Sequence, residues 1–130
     1  MSKFLILKKR KDFLRAAKDV TVVFRNVIVQ AARPLSGAEE HPARIGFTAT
    51  KRLGKAYVRN RTKRRLRAVV REVYESHALP NIDYVLVGRF DTCCCPFEEL
   101  QNDIVRAFKK ANKTILSEQT EHEKNTSVVD

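Results

Sequence analysis

No apolar run in this chain approaches the about 18 residues needed to cross a bilayer, so no membrane anchor is expected. The N-terminal stretch Phe4 to Leu7 is too short for the apolar region of a secretory signal, and Lys8 to Lys11 stands where a small-residue cleavage site would be needed. A cytoplasmic protein is therefore expected. Cysteine is confined to three consecutive positions, Cys93, Cys94 and Cys95, which cannot build a framework of long-range disulfides. They also lack the C-x₂₋₄-C pairing of a tetrahedral zinc site; they read as turn and packing residues, with no metal site expected. His41, His77 and His122 are scattered, and Asp12, Asp83 and Asp91 belong to different elements. The aligned nucleophile, base or metal-held water of a protein nuclease is thus missing, and no catalytic residue is assigned. Acid is locally absent as well: from His41 to Arg71 there is no aspartate or glutamate.

What is present is positive charge. Lysine and arginine outnumber aspartate and glutamate 26 to 15, a formal net charge of +11. Uncompensated positive charge repels itself in a folded chain and implies a polyanionic partner, nucleic acid first of all. The length of 130 residues suits one domain with a real core. Residues 1–117 read as that single unit. Beyond Ser117 the apolar period stops, so 118–130 reads as a polar, disordered tail.

Periodicity places the elements. Phe13, Leu14 and Ala17 at helical spacing within Lys8 to Lys18 predict a short amphipathic helix. Val20 to Ala32 is rich in β-branched residues and reads as extended, with a hairpin near Arg25-Asn26. Pro34, Ser36, Gly37 and Pro42 mark a loop, after which Arg44 to Thr50 and later Ile82 to Phe90 read as strands. Pro96 suits a first helical position, and Phe97, Leu100, Ile104, Phe108, Ala111 and Ile115 recur behind it as a final amphipathic helix. The pattern predicts an α+β layer pair, helices mainly on one face of a small sheet and the other face open to bind.

The segment Lys51 to Arg71 carries ten basic residues. Val58, Thr62, Leu66, Val69, Val70, Val73 and Tyr74 form one stripe on a helix of 3.6 residues per turn, which sets Asn60, Arg64, Arg67 and Arg71 on the opposite side. Gly54 suits a tight turn ahead of that helix, bringing Lys51, Arg52 and Lys55 to its entrance. Solvated charged faces ordinarily mix signs in i,i+4 pairs, whereas this one meets no acid until Glu72. Arginine's planar fork grips phosphate oxygens in pairs and stacks on bases, and the Asn60 amide both donates and accepts.

The string from Arg44-Ile45-Gly46-Phe47-Thr48 through Lys51-Arg52-Leu53-Gly54-Lys55 to Arg59-Asn60-Arg61-Thr62-Lys63-Arg64-Arg65-Leu66-Arg67 resembles the signature of the bacterial ribonuclease P protein family. The lysine-rich start leading to Asp12-Phe13, the Asp83-Tyr84 strand and the Pro96-Phe97 helix follow the family's order, so the resemblance spans about residues 5 to 116. It implies a small mixed sheet with three helices and a left-handed strand-helix-strand crossover, as in a domain of ribosomal proteins. Packing rules alone favour the right-handed form.

The resemblance further implies an accessory protein subunit of the ribonuclease P holoenzyme, an endoribonuclease that removes the 5′ leader of precursor tRNA with its catalytic centre in the RNA subunit. Lys51, Arg52, Lys55, Arg59, Asn60, Arg61, Lys63, Arg64, Arg67 and Arg71 would bind that RNA subunit. Phe13, Ile28, Gln30 and Thr48 would line a cleft for the single-stranded leader. Some family members place further aromatic residues where this chain has Ala17 and Gln30. No cofactor is expected on the protein alone; Mg²⁺ would enter through the RNA, and no protein partner is called for.

Phe13 is equally readable as a core residue at helical spacing. A structural or ribosomal RNA-binding protein would share the charge, size and fold class. An autonomous endonuclease would cleave without an RNA subunit, and a DNA-binding helix module would need a half-site spacing that nothing here sets.

Overall fold

A computed structural model describes the backbone of residues 4–129 and the side chains of residues 4–117. The tail expected at 118–130 falls outside the residues whose side chains are described. The elements run β1 (Leu5–Ile6), α1 (Arg10–Lys18), β2 (Val20–Val23), β3 (Val27–Ala32), β4 (Arg44–Thr48), α2 (Ala56–His77), β5 (Asp83–Gly88) and α3 (Phe97–Val129). Two 3₁₀ turns, Lys51–Leu53 and Phe90–Cys93, lead out of β4 and β5. The strands form one mixed sheet ordered β1-β4-β5-β3-β2. β4 pairs in parallel with both β1 and β5, while β3 is antiparallel to β5 and β2. The two-residue β1 has no sequence signature of its own, because so short a segment shows no period.

Strand alternation divides the sheet into two faces. Val27, Val29, Ile45, Tyr84 and Leu86 point to the face covered by α2 and α3, where Leu66, Val69, Ile104 and Phe108 complete the main core. Fully burying each large aliphatic side chain there contributes about 1.5–3 kcal/mol. Gly88 lets α2 lie close against β5: a Cβ at that position would stand 2.3 Å from Thr62 Cγ2. Thr62 is itself buried, and its hydroxyl donates to the Val58 carbonyl at 2.8 Å, so no polar group is stranded at the contact.

The second face is not open along its whole length, as the strand and helix pattern suggested. There α1 packs on Leu7, Ala32 and Val85 through Ala16, a smaller second core. Under this helix Asp83 is fully buried and held by two arginines. Arg44 donates from Nε and Nη2 at 2.6 and 2.7 Å, and Arg15 donates from Nη2 at 2.5 Å. The bond to Asp83 holds the Arg44 guanidinium above its usual pKa, against the opposing effect of burial. This triad fixes α1 against β4 and β5 and removes Arg15 and Arg44 from the cations free to meet a ligand.

Candidate nucleic-acid interface

The turn Lys51–Leu53 closes at Gly54, whose φ of +125° lies in the region that favours glycine. It delivers the chain into α2, whose start departs from ordinary helix design. Lys55 occupies the N-cap without a side-chain cap bond, and the first turn holds no acid. Capping and first-turn carboxylates normally satisfy the free N–H groups and complement the positive end of the helix dipole, each worth about 1 kcal/mol. Here cations crowd that end instead. The arrangement is locally unfavourable and would be relieved by an external anion, for which uncapped N–H groups and a positive dipole end are suited.

Along α2 the polar residues fall into stripes of distinct character. Asn60, Arg64 and Arg71 lie on one exposed line, with Arg61 exposed beside it. Arg59, Lys63 and Arg67, at four-residue steps, form a half-buried flank. The Arg67 guanidinium rests on the Phe47 ring at 5.4 Å from its centroid, which holds the cation by its face and leaves its N–H edge unengaged. The Arg59 Nε is buried with no hydrogen-bond partner.

Among the described residues the ion pairs are Arg15 and Arg44 with Asp83, Arg25 with Asp91 and Arg33 with Asp19. None reaches α2. Lys51, Arg52, Lys55, Arg59, Asn60, Arg61, Lys63, Arg64 and Arg71 make no described side-chain hydrogen bond or ion pair. Arg65 differs from its neighbours. It leans to the far flank and donates to the carbonyls of Thr92 and Cys95 at 2.6 and 2.5 Å, tying α2 to the turn Phe90–Cys93. Charge counting alone could not separate it from the others.

The four residues predicted for the leader cleft come together on the second sheet face. The Phe13 ring lies on Gly46, where an added Cβ would stand 2.6 Å from its Cζ. Gln30 shares the next strand position across the sheet through Val85. One row further, Val23, Ile28, Val87 and Thr48 are successive register partners, with Val87 packed at the margin of the small core. Ile28, Thr48 and Val87 are half-buried and Val23 is 58% exposed. Phe13 packs against the small core, as its helical spacing suggests, and its ring remains half-exposed on this face.

Sequence reasoning missed Val23 and Val87, which complete the apolar row. It also missed the exposed run Lys8, Lys9, Arg10 and Lys11 at the entrance of α1, placed near the cleft by the bond from Leu7 N–H to the Ile45 carbonyl. Strand alternation would have found the two valines; the charge run was visible but had no partner element. Since Thr48 precedes Lys51 by three residues, the cleft and the basic turn adjoin at one end of the sheet.

Other chemistry is sparse. Cys93 and Cys95 are half-buried and Cys94 is exposed, all three free, in or just after the turn that receives Arg65. Among the described residues no group of three histidine, cysteine or acidic side chains is arranged to hold a metal ion. No helix among them is long and apolar enough to cross a membrane.

Comparison with known proteins decides the family. The family model described as Ribonuclease P matches residues 1–112. The chain belongs to the ribonuclease P protein family. A relative from Ruegeria pomeroyi, named ribonuclease P protein component, is 43% identical over 106 residues, covering 81% of this chain and 84% of that protein. A like-named protein from Gluconacetobacter diazotrophicus is 44% identical, covering 81% and 89%. The structure of the Staphylococcus aureus RNase P protein superposes with a TM-score of 0.67 at 28% identity, covering 84% of this chain and 96% of that one. The Thermotoga maritima RNase P protein, at 21% identity and a TM-score of 0.66, shares the fold. As a ribonuclease P protein component the chain has a role in that ribonucleoprotein holoenzyme and in tRNA processing.

Proposed function

We propose that this chain is the RNA-binding accessory subunit of ribonuclease P, seating the catalytic RNA subunit on α2 and the turn before it and the 5′ leader of precursor tRNA in the adjoining cleft. One observation carries the reading: an uncapped helix start and an array of cations and one amide that make no hydrogen bond or ion pair among the described residues. Lys51, Arg52, Lys55, Arg59, Asn60, Arg61, Lys63, Arg64, Arg67 and Arg71 supply the RNA-subunit contacts. Released counterions then provide much of the binding free energy, so affinity falls steeply with salt.

The leader lies across Phe13, Ile28, Gln30 and Thr48, extended by Val23 and Val87. An apolar strip flanked by lysines suits a single strand, whose bases stack or pack while its phosphates meet cations. The protein's part is positional and electrostatic: it lowers repulsion between two polyanions and holds the scissile end in register. Hydrolysis of the phosphodiester at the 5′ end of the mature tRNA falls to the RNA subunit with its Mg²⁺. Asp83, the buried acidic side chain among the described residues, is unavailable for that task, being locked between Arg15 and Arg44. The cytoplasm, where precursor tRNA is found in a bacterium, is the compartment in which this work is done.

Reconstitution tests the proposal. The protein is combined with the catalytic RNA of a homologous holoenzyme, and precursor tRNA cleavage is followed across Mg²⁺ concentrations. Rescue at low Mg²⁺ is expected, with loss of rescue in an Arg61→Ala/Arg64→Ala variant. RNA binding without rescue would point instead to a structural RNA-binding protein.

A further inference from the structure

Tyr57 is the most exposed large apolar side chain among the described residues, at 70%. It stands in the first turn of α2, and no described contact or hydrogen bond engages its ring. Helical spacing sets it beside Asn60 and Arg61, three and four residues on, and in line with Arg64, seven residues on. An aromatic ring held in water on a folded surface contributes nothing to the core. Its surroundings are specific: cations on the same face, no acid along the helix before Glu72, and the open N-terminus of the helix immediately behind it.

The backbone adds to this. The first N–H groups of α2 that bond within the helix are those of Val58 and Arg59, both to the Lys55 carbonyl at 3.0 and 3.2 Å. The N–H groups of Ala56 and Tyr57 precede them and have no intrahelical acceptor. A nucleotide with its phosphate at these N–H groups and between Lys55 and Arg61 would carry its base toward the phenol ring.

We propose that Tyr57 is a stacking platform for one unpaired base of the RNA bound by α2, so that this face reads single-stranded structure and not backbone charge alone. The inference rests on the proposed seating of the catalytic RNA on α2. It assigns to that surface a ligand feature, an extruded or loop nucleobase, that phosphate contacts by arginine do not demand. A duplex has its bases stacked inside and offers none to the ring.

The chain contains no tryptophan, so Tyr57→Trp places a single indole reporter at the site. Its emission is expected to be quenched by the catalytic RNA and by a single-stranded oligoadenylate, and to stay unchanged with a blunt RNA duplex of equal length. Tyr57→Ala is expected to weaken binding of the catalytic RNA roughly 5- to 150-fold, the range of one base–aromatic stack, while Tyr57→Phe binds as the parent does. The salt dependence should keep its slope in Tyr57→Ala, because no phosphate contact is removed. Parental affinity in Tyr57→Ala, or equal quenching by the duplex, overturns the inference and leaves the RNA-subunit assignment standing. Failure of the unsubstituted protein to bind the catalytic RNA overturns the assignment itself.

Discussion

Replacing Arg61, Arg64 and Arg71 together by alanine removes three exposed guanidiniums that have no described partner in the chain. If each meets one phosphate, the slope of log affinity against log salt should fall by about 0.7–0.9 per contact, or about 2–3 in all. At about 1–1.5 kcal/mol per charge-assisted contact, affinity for the catalytic RNA should drop about a hundredfold or more at moderate salt. Folding stability should move the other way or not at all. Exposed substitutions rarely shift it by more than about 0.5 kcal/mol, alanine is the better helix former, and repulsion such as that between Arg67 and Arg71 is relieved. Arg65→Ala supplies the contrast, since it deletes the bonds to the Thr92 and Cys95 carbonyls. It should cost about 1–3 kcal/mol of stability and leave the salt slope unchanged. Anisotropy titrations with labelled catalytic RNA over a salt series, paired with urea denaturation of each variant, read both quantities. A triple variant that keeps the parental slope, or unfolds more than about 2 kcal/mol earlier, would refute the division of the helix into partnered and free arginines.

Asp83→Asn should destabilise the fold by about 2–4 kcal/mol in chemical denaturation, because it breaks a buried clamp on two arginines. The effect is tempered by guanidiniums that are 26% and 31% exposed. Tyr84 is buried with its hydroxyl donating to Asn112 at 2.5 Å, and burial pushes its pKa up to about 12. The folded value lies above the unfolded value near 10, so the stabilisation is complete below pH 10 and is lost as pH rises toward 12. The loss amounts to about 2–3 kcal/mol and should disappear from the alkaline unfolding profile of Tyr84→Phe. Gly46→Ala should push the Phe13 ring off β4 at a cost of about 1–3 kcal/mol. Leader-dependent binding of precursor tRNA should weaken in that variant while affinity for the catalytic RNA holds, as parallel titrations with and without a leader would show.

Much of the architecture is legible in periodicity because each long element buries one stripe. The α2 stripe of Leu66, Val69, Val70 and Val73 is buried as its spacing requires, and the hairpin turns between β2 and β3 at Arg25-Asn26. What stayed hidden depends on long-range partners. β1 exists only through its pairing with β4, and α1 closes part of the second face through Ala16 and the Arg15–Asp83 bond. Arg65 and Arg64 are adjacent and chemically identical, yet one serves the fold and the other faces outward. Helical spacing sets Arg64 opposite the apolar stripe, and the predicted site omits Arg65. What spacing does not show is Arg65's partner, the segment at and just after the turn Phe90–Cys93, which comes more than twenty residues later in the chain.

The same reasoning explains why the candidate site concentrates the chain's departures from good helix practice. A sequence optimised for stability alone would cap α2, place acid in its first turn and alternate signs along its outer face. Instead Lys55 stands at the cap, Arg59 buries an unbonded Nε, and like charges follow one another at helical spacing. These costs are borne by the dense packing beneath, where Gly88 admits Thr62 and the aliphatic stripe meets the sheet. Local rules broken together on one face, above a core that obeys them, mark a surface shaped for an external anion. On this argument polyanion binding should stabilise the protein by mass action, and by more than it stabilises a variant given a capped, acid-bearing α2 start, because the parent's affinity includes satisfying the groups that the free fold leaves open.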